Sequence, residues 1–273
     1  MASFWTAENA PVKHLEDIKV SIDTQDLPSA IKTIKDYLEK QDLEELTIGV
    51  TGESGSGKSS FVNAFRGLGD EEEGSAKIDV VECTTKPEVY LHPKYNNVKV
   101  WDLPGIGTPN FKAHEYLKLV NIQRYDVFII IASDRFRECH AQLAKEIIGM
   151  GKKFYFVRSK IDLSIAAEKR KRKANFDEKN TLRIIREDCE NGLRKIDVKD
   201  PVVFLISSWE FKKYDFNLLE EKIEKDLPQH KRDVLLSALP NITLEINEKK
   251  KKALEKNIAM VAFLSACVAA VPV

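Results

Sequence analysis

The sequence predicts a doubly wound α/β fold, and three observations carry that prediction. Short continuous apolar runs recur through the middle of the chain: LTIGV at Leu46–Val50, VKVWD at Val98–Asp102, DVFIIIA at Asp126–Ala132, KFYFVR at Lys153–Arg158 and VVFLIS at Val202–Ser207. The stretches between them are long enough for crossover helices. A bend rich in Gly and Ser, GVTGESGSGKSSFVNAF from Gly49 to Phe65, joins the first run directly to a helical pattern. Continuous apolar runs suit parallel strands covered on both faces, and parallel strands need helical crossovers.

Each part of the chain then has its place. Residues 1–45 read as a lead-in helical segment, because Leu27, Ile31, Ile34 and Leu38 form one apolar stripe at helical spacing on an otherwise charged stretch. Residues 46–228 hold the sheet and its crossovers. After Pro228 the strand pattern ceases, and Lys231–Leu239 and Leu244–Leu264 read as helices, so residues 229–273 begin a C-terminal helical unit. The two chain ends together flank the sheet. The apolar run Ile258–Val273 is shorter than the roughly 20 residues that span a bilayer, so a buried helix is expected, with a further C-terminal part missing. Ala2 occupies the position where N-myristoylation needs Gly.

Composition narrows the partners. Lys plus Arg equals Asp plus Glu at 43 each, so no net field draws the molecule to nucleic acid, and any anion site must be local. The 4 cysteines show no paired spacing and the 5 histidines are scattered, which points to reduced thiols in a cytosolic setting and gives a His/Cys metal site little support.

The bend fits G-x-x-x-x-G-K-[ST] through Gly52, Gly57, Lys58 and Ser59. Backbone N–H groups can converge on phosphate oxygens only where the chain comes close and adopts conformations that Gly permits, and the following helix start adds its positive end. Glu53, Ser54, Gly55, Ser56, Gly57, Lys58, Ser59 and Ser60 would wrap a phosphate chain. Lys58 would reach the β- and γ-phosphates, and the Ser59 hydroxyl would ligate Mg²⁺.

The base is read elsewhere. Ser159, Lys160 and Asp162 end an apolar run downstream. A carboxylate at Asp162 accepts from guanine N1–H and the exocyclic amine, whereas adenine presents an acceptor at N1; the Lys160 stem would lie along the base. Between the two motifs, VWDLPGIG offers Asp102 to Mg²⁺ and the Gly105 N–H to a γ-phosphate oxygen, so the following loop would move when that phosphate is lost. Upstream, either Thr84 or Thr85 could give Mg²⁺ a second hydroxyl.

Phosphate loop, switches and base loop stand in the order of guanine-nucleotide switches. GESGSGKSSFVNAFRGLGDEEEG, WDLPGIGTPNF, FYFVRSKID, YDFNLLEEKIEKDLP and LPNITLEINEKKK resemble the immunity-related GTPases, the interferon-inducible GTPases of vertebrates, over nearly the whole chain. Lys58 resembles the subgroup that keeps Lys in the phosphate loop. The resemblance implies a Ras-like G domain, a helical domain built from both termini, and GTP/GDP binding. It further implies a GTP-dependent homodimer or oligomer associated peripherally with intracellular membranes, in particular vacuoles that enclose pathogens. Two departures stand out. The last base-contacting loop carries Ser207-Ser208 where the family has Ser-Asn, and the chain stops short of the C-terminal helices that contribute to membrane targeting.

Hydrolysis has an unusual feature. Ile106 follows Gly105 where Ras-like enzymes carry a water-orienting Gln, so slow turnover in the isolated chain is expected. Glu82 is the nearest polar residue for a catalytic or dimer-contact role beside Lys58 and Gly105. A scaffold with negligible hydrolysis is the alternative, and Asp162 disfavours an ATP-using enzyme. EKRKRKAN at Glu168–Asn175 and DEEEG at Asp70–Gly74 read as solvated charge clusters, and the NIT sequon at Asn241–Thr243 as unused.

Overall fold

The structure is a computed structural model that describes residues 28–29, 31–36, 44–78, 86–107, 111–240 and 244–270. Glu82, Thr84, Thr85 and the NIT sequon lie outside the described residues. A six-stranded sheet runs in the order β2-β3-β1-β4-β5-β6. Its strands are β1 (Leu46–Glu53), β2 (Glu88–Leu91), β3 (Val98–Ile106), β4 (Val127–Ala132), β5 (Tyr155–Arg158) and β6 (Val203–Leu205). All neighbours pair parallel except β2, which runs antiparallel to β3. This is the mostly parallel, Ras-like sheet that the resemblance implied.

Helices cover both faces. Those described after β1 are α1 (Lys58–Arg66), α2 (Ala113–Leu119), α3 (Glu138–Gly149), α4 (Ile161–Arg172), α5 (Glu178–Arg194), α6 (Phe216–Asp226), α7 (Gln229–Ala238) and α8 (Leu244–Ala270). On one face Ile48, Val50, Val100, Ile129 and Ile131 pack with Phe61 and Phe65 of α1, Phe216 and Leu219 of α6, and Leu235 of α7. On the other, Leu103, Phe128, Ile130 and Phe156 meet Tyr116 and Leu117 of α2, Leu143 and Ile147 of α3, and Leu193 of α5. Successive residues of β4 therefore enter opposite cores, which is why that strand reads as an unbroken apolar run.

The structure departs from the sequence reading in three places. Strand β2 was not foreseen: it is an edge strand of 4 residues whose apolar run, Val89, Tyr90 and Leu91, is too short to stand out. Strand β3 does not end at Asp102 but continues to Ile106, with a register shift between Val50 and Gly52 on its neighbour β1. The end of the chain is not a buried helix throughout. Leu254, Ile258 and Val261 lie exposed on one side of α8, which no described element covers, while Met260 is buried. Among the described residues, no helix is long and apolar enough to cross a membrane.

Parts of three other segments fall within the described residues. Residues 28–29 and 31–36 are helical and Ile34 is buried. Lys169–Lys173 lies at the exposed end of α4, where Glu168 pairs with Arg172 at 2.7 Å, and Asp70–Gly74 forms an exposed turn.

Candidate functional site

Strand register assembles the site. Gly52 on β1 stands beside Gly105 on β3 and Ile131 on β4, so the phosphate loop and the DLPG turn leave the same sheet edge side by side. The carboxyl ends of parallel strands are where α/β sheets bind ligands.

The bend at this edge needs its glycines. A Cβ on Gly52 would lie 2.1 Å from the Ile131 carbonyl oxygen and 2.7 Å from Ser56 Oγ, so no side chain fits. Gly57 sits at φ 90° and forms the N-cap of α1, a left-handed conformation that disfavours side chains. No side chain caps α1 at this end, and a helix start is a ready-made anion site. Lys58 is buried, and its ammonium donates to the carbonyls of Gly52 at 3.3 Å and Glu53 at 3.0 Å, which holds a cation across the loop. Ser54 and Gly55 are exposed at the tip, Ser56 is buried and Ser60 half-buried.

Two of the residues assigned to Mg²⁺ meet. The Ser59 hydroxyl donates to Asp102 Oδ2 at 2.6 Å, although the residues are 43 apart in sequence. Both offer hard oxygen atoms, the donor class that Mg²⁺ takes, and Asp102 is only 1% exposed. The pair fits Mg²⁺; Thr84 and Thr85, outside the described residues, add nothing to that test.

The base loop comes to the same edge. Ser159 donates to the Ser56 carbonyl at 2.6 Å, and the Lys160 ammonium donates to the Gly55 carbonyl at 2.7 Å. Lys160 adopts a left-handed conformation, φ 54°, as the N-cap of α4, which folds its stem toward Gly57. Asp162 lies half-exposed in the first turn of α4. Ser207 behaves differently. Its buried hydroxyl accepts the backbone N–H groups of Trp209 at 3.3 Å and Glu210 at 3.0 Å, so it shapes its own turn, and Ser208 beside it is half-buried. Ile106, after Gly105, points into the core at 3% exposure and offers no group to a water molecule.

Sequence reasoning missed two contacts around this site. Glu53 is ringed by the start of α3: Arg137 pairs with it at 3.0 Å, Cys139 Sγ lies at 3.6 Å and His140 Nε2 at 3.8 Å. The Glu53, Cys139 and His140 donor atoms stand within 4.8 Å of one another, a spacing that invites a metal. The imidazole argues otherwise. His140 Nδ1 accepts the Arg137 backbone N–H at 3.1 Å, so in a neutral ring the proton sits on Nε2, facing the carboxylate. Burial, then the Arg137 charge, lowers the His140 pKa to about 4, which keeps the ring neutral. Burial, then the Glu53 charge, pushes the Cys139 thiol up to about 11, so the sulfur keeps the proton it donates to Glu53. Arg137 and Cys139 tether Glu53, and with it the phosphate loop, to the start of α3. The second missed contact joins Thr51, Tyr116 and Pro104, buried together behind the DLPG turn. No motif announces either, since the partners are distant in sequence.

The family model for the interferon-inducible GTPases (IIGP) matches residues 12–273. "Interferon-inducible GTPase 5" of Bos taurus is 42% identical over 261 residues, covering 96% of this chain and 56% of that protein. "Interferon-gamma-inducible GTPase 10" of Mus musculus is 42% identical over 258 residues, covering 94% of this chain and 62% of that protein. The chain thus spans less than two thirds of the length of these relatives. Among solved structures, a dimerization-deficient mutant of Toc33 from Arabidopsis thaliana is similar with a TM-score of 0.47 and 15% identity, covering 65% of this chain and 77% of that one.

Proposed function

This chain belongs to the interferon-inducible GTPase family, and on that premise we propose that it binds GTP with Mg²⁺ and hydrolyses it to GDP and phosphate. Its nucleotide state governs self-association as a dimer or oligomer, peripherally on intracellular membranes, in cell-autonomous immunity. The observation that carries the reading is the 2.6 Å contact of Ser59 with Asp102 beside a buried lysine, at the edge where Ser159 and Lys160 also arrive.

In this reading the backbone from Glu53 to Ser60 cradles the phosphates, and Lys58 turns its ammonium from the loop carbonyls to the β- and γ-oxygens. Ser59 and Asp102 would hold Mg²⁺, which would supply positive charge against the phosphates. Asp162 accepts from the guanine edge while the Lys160 stem covers the ring. The Gly105 N–H donates to the γ-phosphate. Water needs another orienting group, because Ile106 is buried and apolar; Glu82, or a residue of a second copy, fills that role.

The buried Ile106 also favours a second reading, a nucleotide-regulated scaffold with negligible hydrolysis. Phosphate release per molecule from GTP, measured over a wide range of protein concentration with ATP as control, separates the two. Specific activity that rises with concentration for GTP alone supports catalysis completed across a self-contact. Nucleotide-dependent oligomers that release no phosphate support the scaffold. Turnover of ATP at a comparable rate overturns the guanine assignment.

A further inference from the structure

We propose that Tyr116 is a positioning residue that orients the Pro104–Gly105 peptide toward the γ-phosphate, and so sets how strongly the site distinguishes a nucleoside triphosphate from a diphosphate. This rests on the reading above that Gly105 donates its N–H to that phosphate.

The observation is a chain of buried hydroxyls. Tyr116, on α2, donates its phenolic proton to the Pro104 carbonyl at 3.0 Å. Its oxygen also lies 2.5 Å from Thr51 Oγ1. A phenol has one proton. With that proton given to Pro104, Thr51 must be the donor to Tyr116, so the order of donation is Thr51, then Tyr116, then the Pro104 carbonyl. Thr51 is fully buried and Tyr116 is 7% exposed, so water does not compete for these groups. Burial raises the Tyr116 pKa well above its ordinary value, and the phenol remains a donor at every physiological pH.

The end of that chain matters because of peptide geometry. The Pro104 carbonyl and the Gly105 N–H belong to one planar trans unit and point to opposite sides of it. Fixing the oxygen therefore fixes the direction of the N–H. Gly105 is also paired with Gly52 in the β1–β3 ladder, so the Tyr116 hydroxyl adds a side-chain restraint to one that strand pairing already gives this peptide. The same chain of bonds polarises the unit, since each donor strengthens the next, and this makes the Gly105 N–H a better partner for an anion. The anchor points are also apt. Thr51 immediately precedes Gly52, where the phosphate loop begins, and Pro104 immediately precedes Gly105, so one hydroxyl ties together the strands that carry both phosphate-contacting motifs.

The test is the affinity of the chain for GDP and for a non-hydrolysable GTP analogue, both with Mg²⁺, in the wild type, Tyr116→Phe, Thr51→Val and Lys58→Ala. Tyr116→Phe removes one oxygen and keeps the ring in its core position. The ratio of triphosphate to diphosphate affinity is expected to fall about fivefold in Tyr116→Phe, the equivalent of one hydrogen bond, with GDP affinity within about twofold of wild type. Thr51→Val, which keeps the Pro104 contact but removes the donor behind it, is expected to shift the ratio the same way by about twofold. If Tyr116→Phe no longer binds GDP, Thr51→Val decides alone. An unchanged ratio in the deciding variant overturns the role of Tyr116, whereas a merely structural contribution would weaken both nucleotides equally. Lys58→Ala keeps the two failures apart. If it retains full triphosphate affinity, the phosphate-loop reading itself fails, and the Tyr116 proposal with it.

Discussion

Replacing Ser59 by Ala tests the metal-binding pair and separates two roles of a single hydroxyl. In the structure this hydroxyl donates to Asp102 at 2.6 Å, and the carboxylate is almost wholly buried. A hydrogen bond to a charged group contributes about 1.5–3 kcal/mol, and Ser59→Ala removes that one contribution. For a chain of this size each kcal/mol moves the melting temperature by about 2–4 °C, so Ser59→Ala should melt about 3–12 °C lower without nucleotide. Calorimetric scanning reads that shift. The functional role appears in GTP affinity, measured once with Mg²⁺ and once with excess EDTA. Loss of a metal ligand should weaken binding at least about tenfold with Mg²⁺, a change of about 1.4 kcal/mol, and change it little in EDTA. Ser59→Thr retains the oxygen and should recover most of both properties. Equal weakening with and without Mg²⁺ would refute the ligand assignment and leave Ser59 as a support for Asp102 alone.

Three further outcomes are expected. Ile106→Gln should not restore Ras-like hydrolysis, because the side chain points into the core; it should instead lower stability by about 1–3 kcal/mol for a buried amide, and faster single-copy phosphate release would contradict this. Gly52→Ala should abolish nucleotide binding, since its Cβ would stand 2.1 Å from the Ile131 carbonyl oxygen, and wild-type affinity by titration calorimetry would show that the loop does not need this close approach. Burial raises the Glu220 carboxyl from 4.5 to about 7, against the pull of Lys249 at 3.4 Å and beside Glu224, because a carboxylate 3% exposed loses more by desolvation than this contact returns. With the folded value above the unfolded one, its contribution is complete below about pH 4.5 and is lost as pH rises through about 7; denaturant titrations should show that slope, and Glu220→Gln should flatten it.

The sequence revealed elements wherever one physical cause acted on consecutive residues. Strand β4 is buried on both faces and therefore apolar at every position, and the phosphate loop is a local backbone requirement written in Gly, Lys and Ser. Strand β2 escaped notice because its apolar run, Val89 to Leu91, is only three residues long and its exposed edge position asks for no more. Tyr116 escaped because an aromatic residue at helical spacing looks like ordinary packing; only the tertiary fold brings its hydroxyl to Pro104. Cys139 and His140 looked like scattered residues until α3 placed them against Glu53. Ser207 was assigned to the base through the family resemblance, and nothing in the sequence indicates that its oxygen faces the amides of its own turn. The exposed side of α8 was unreadable for another reason: an apolar run records a need for cover without naming what provides it.

The position of α7 has a mechanical consequence. Val234, Leu235, Leu236 and Ala238 share one core with Ile48 and Phe61, and Lys231 is anchored to the Glu45 carbonyl at 2.9 Å and to Asp126 at 2.7 Å. This helix is bolted to the ends of β1 and β4 that lie farthest from the phosphate loop. Strand β1 extends for 8 residues, about 26 Å at roughly 3.3 Å per residue, from that anchorage to Glu53. A force applied to α8 and passed to α7 would load β1 along its length, its stiffest direction, and arrive at Gly52 as tension on the phosphate loop. A cut at residue 228 would remove this anchorage and open the core over Ile48, so the smallest piece that carries the load path intact extends through α7.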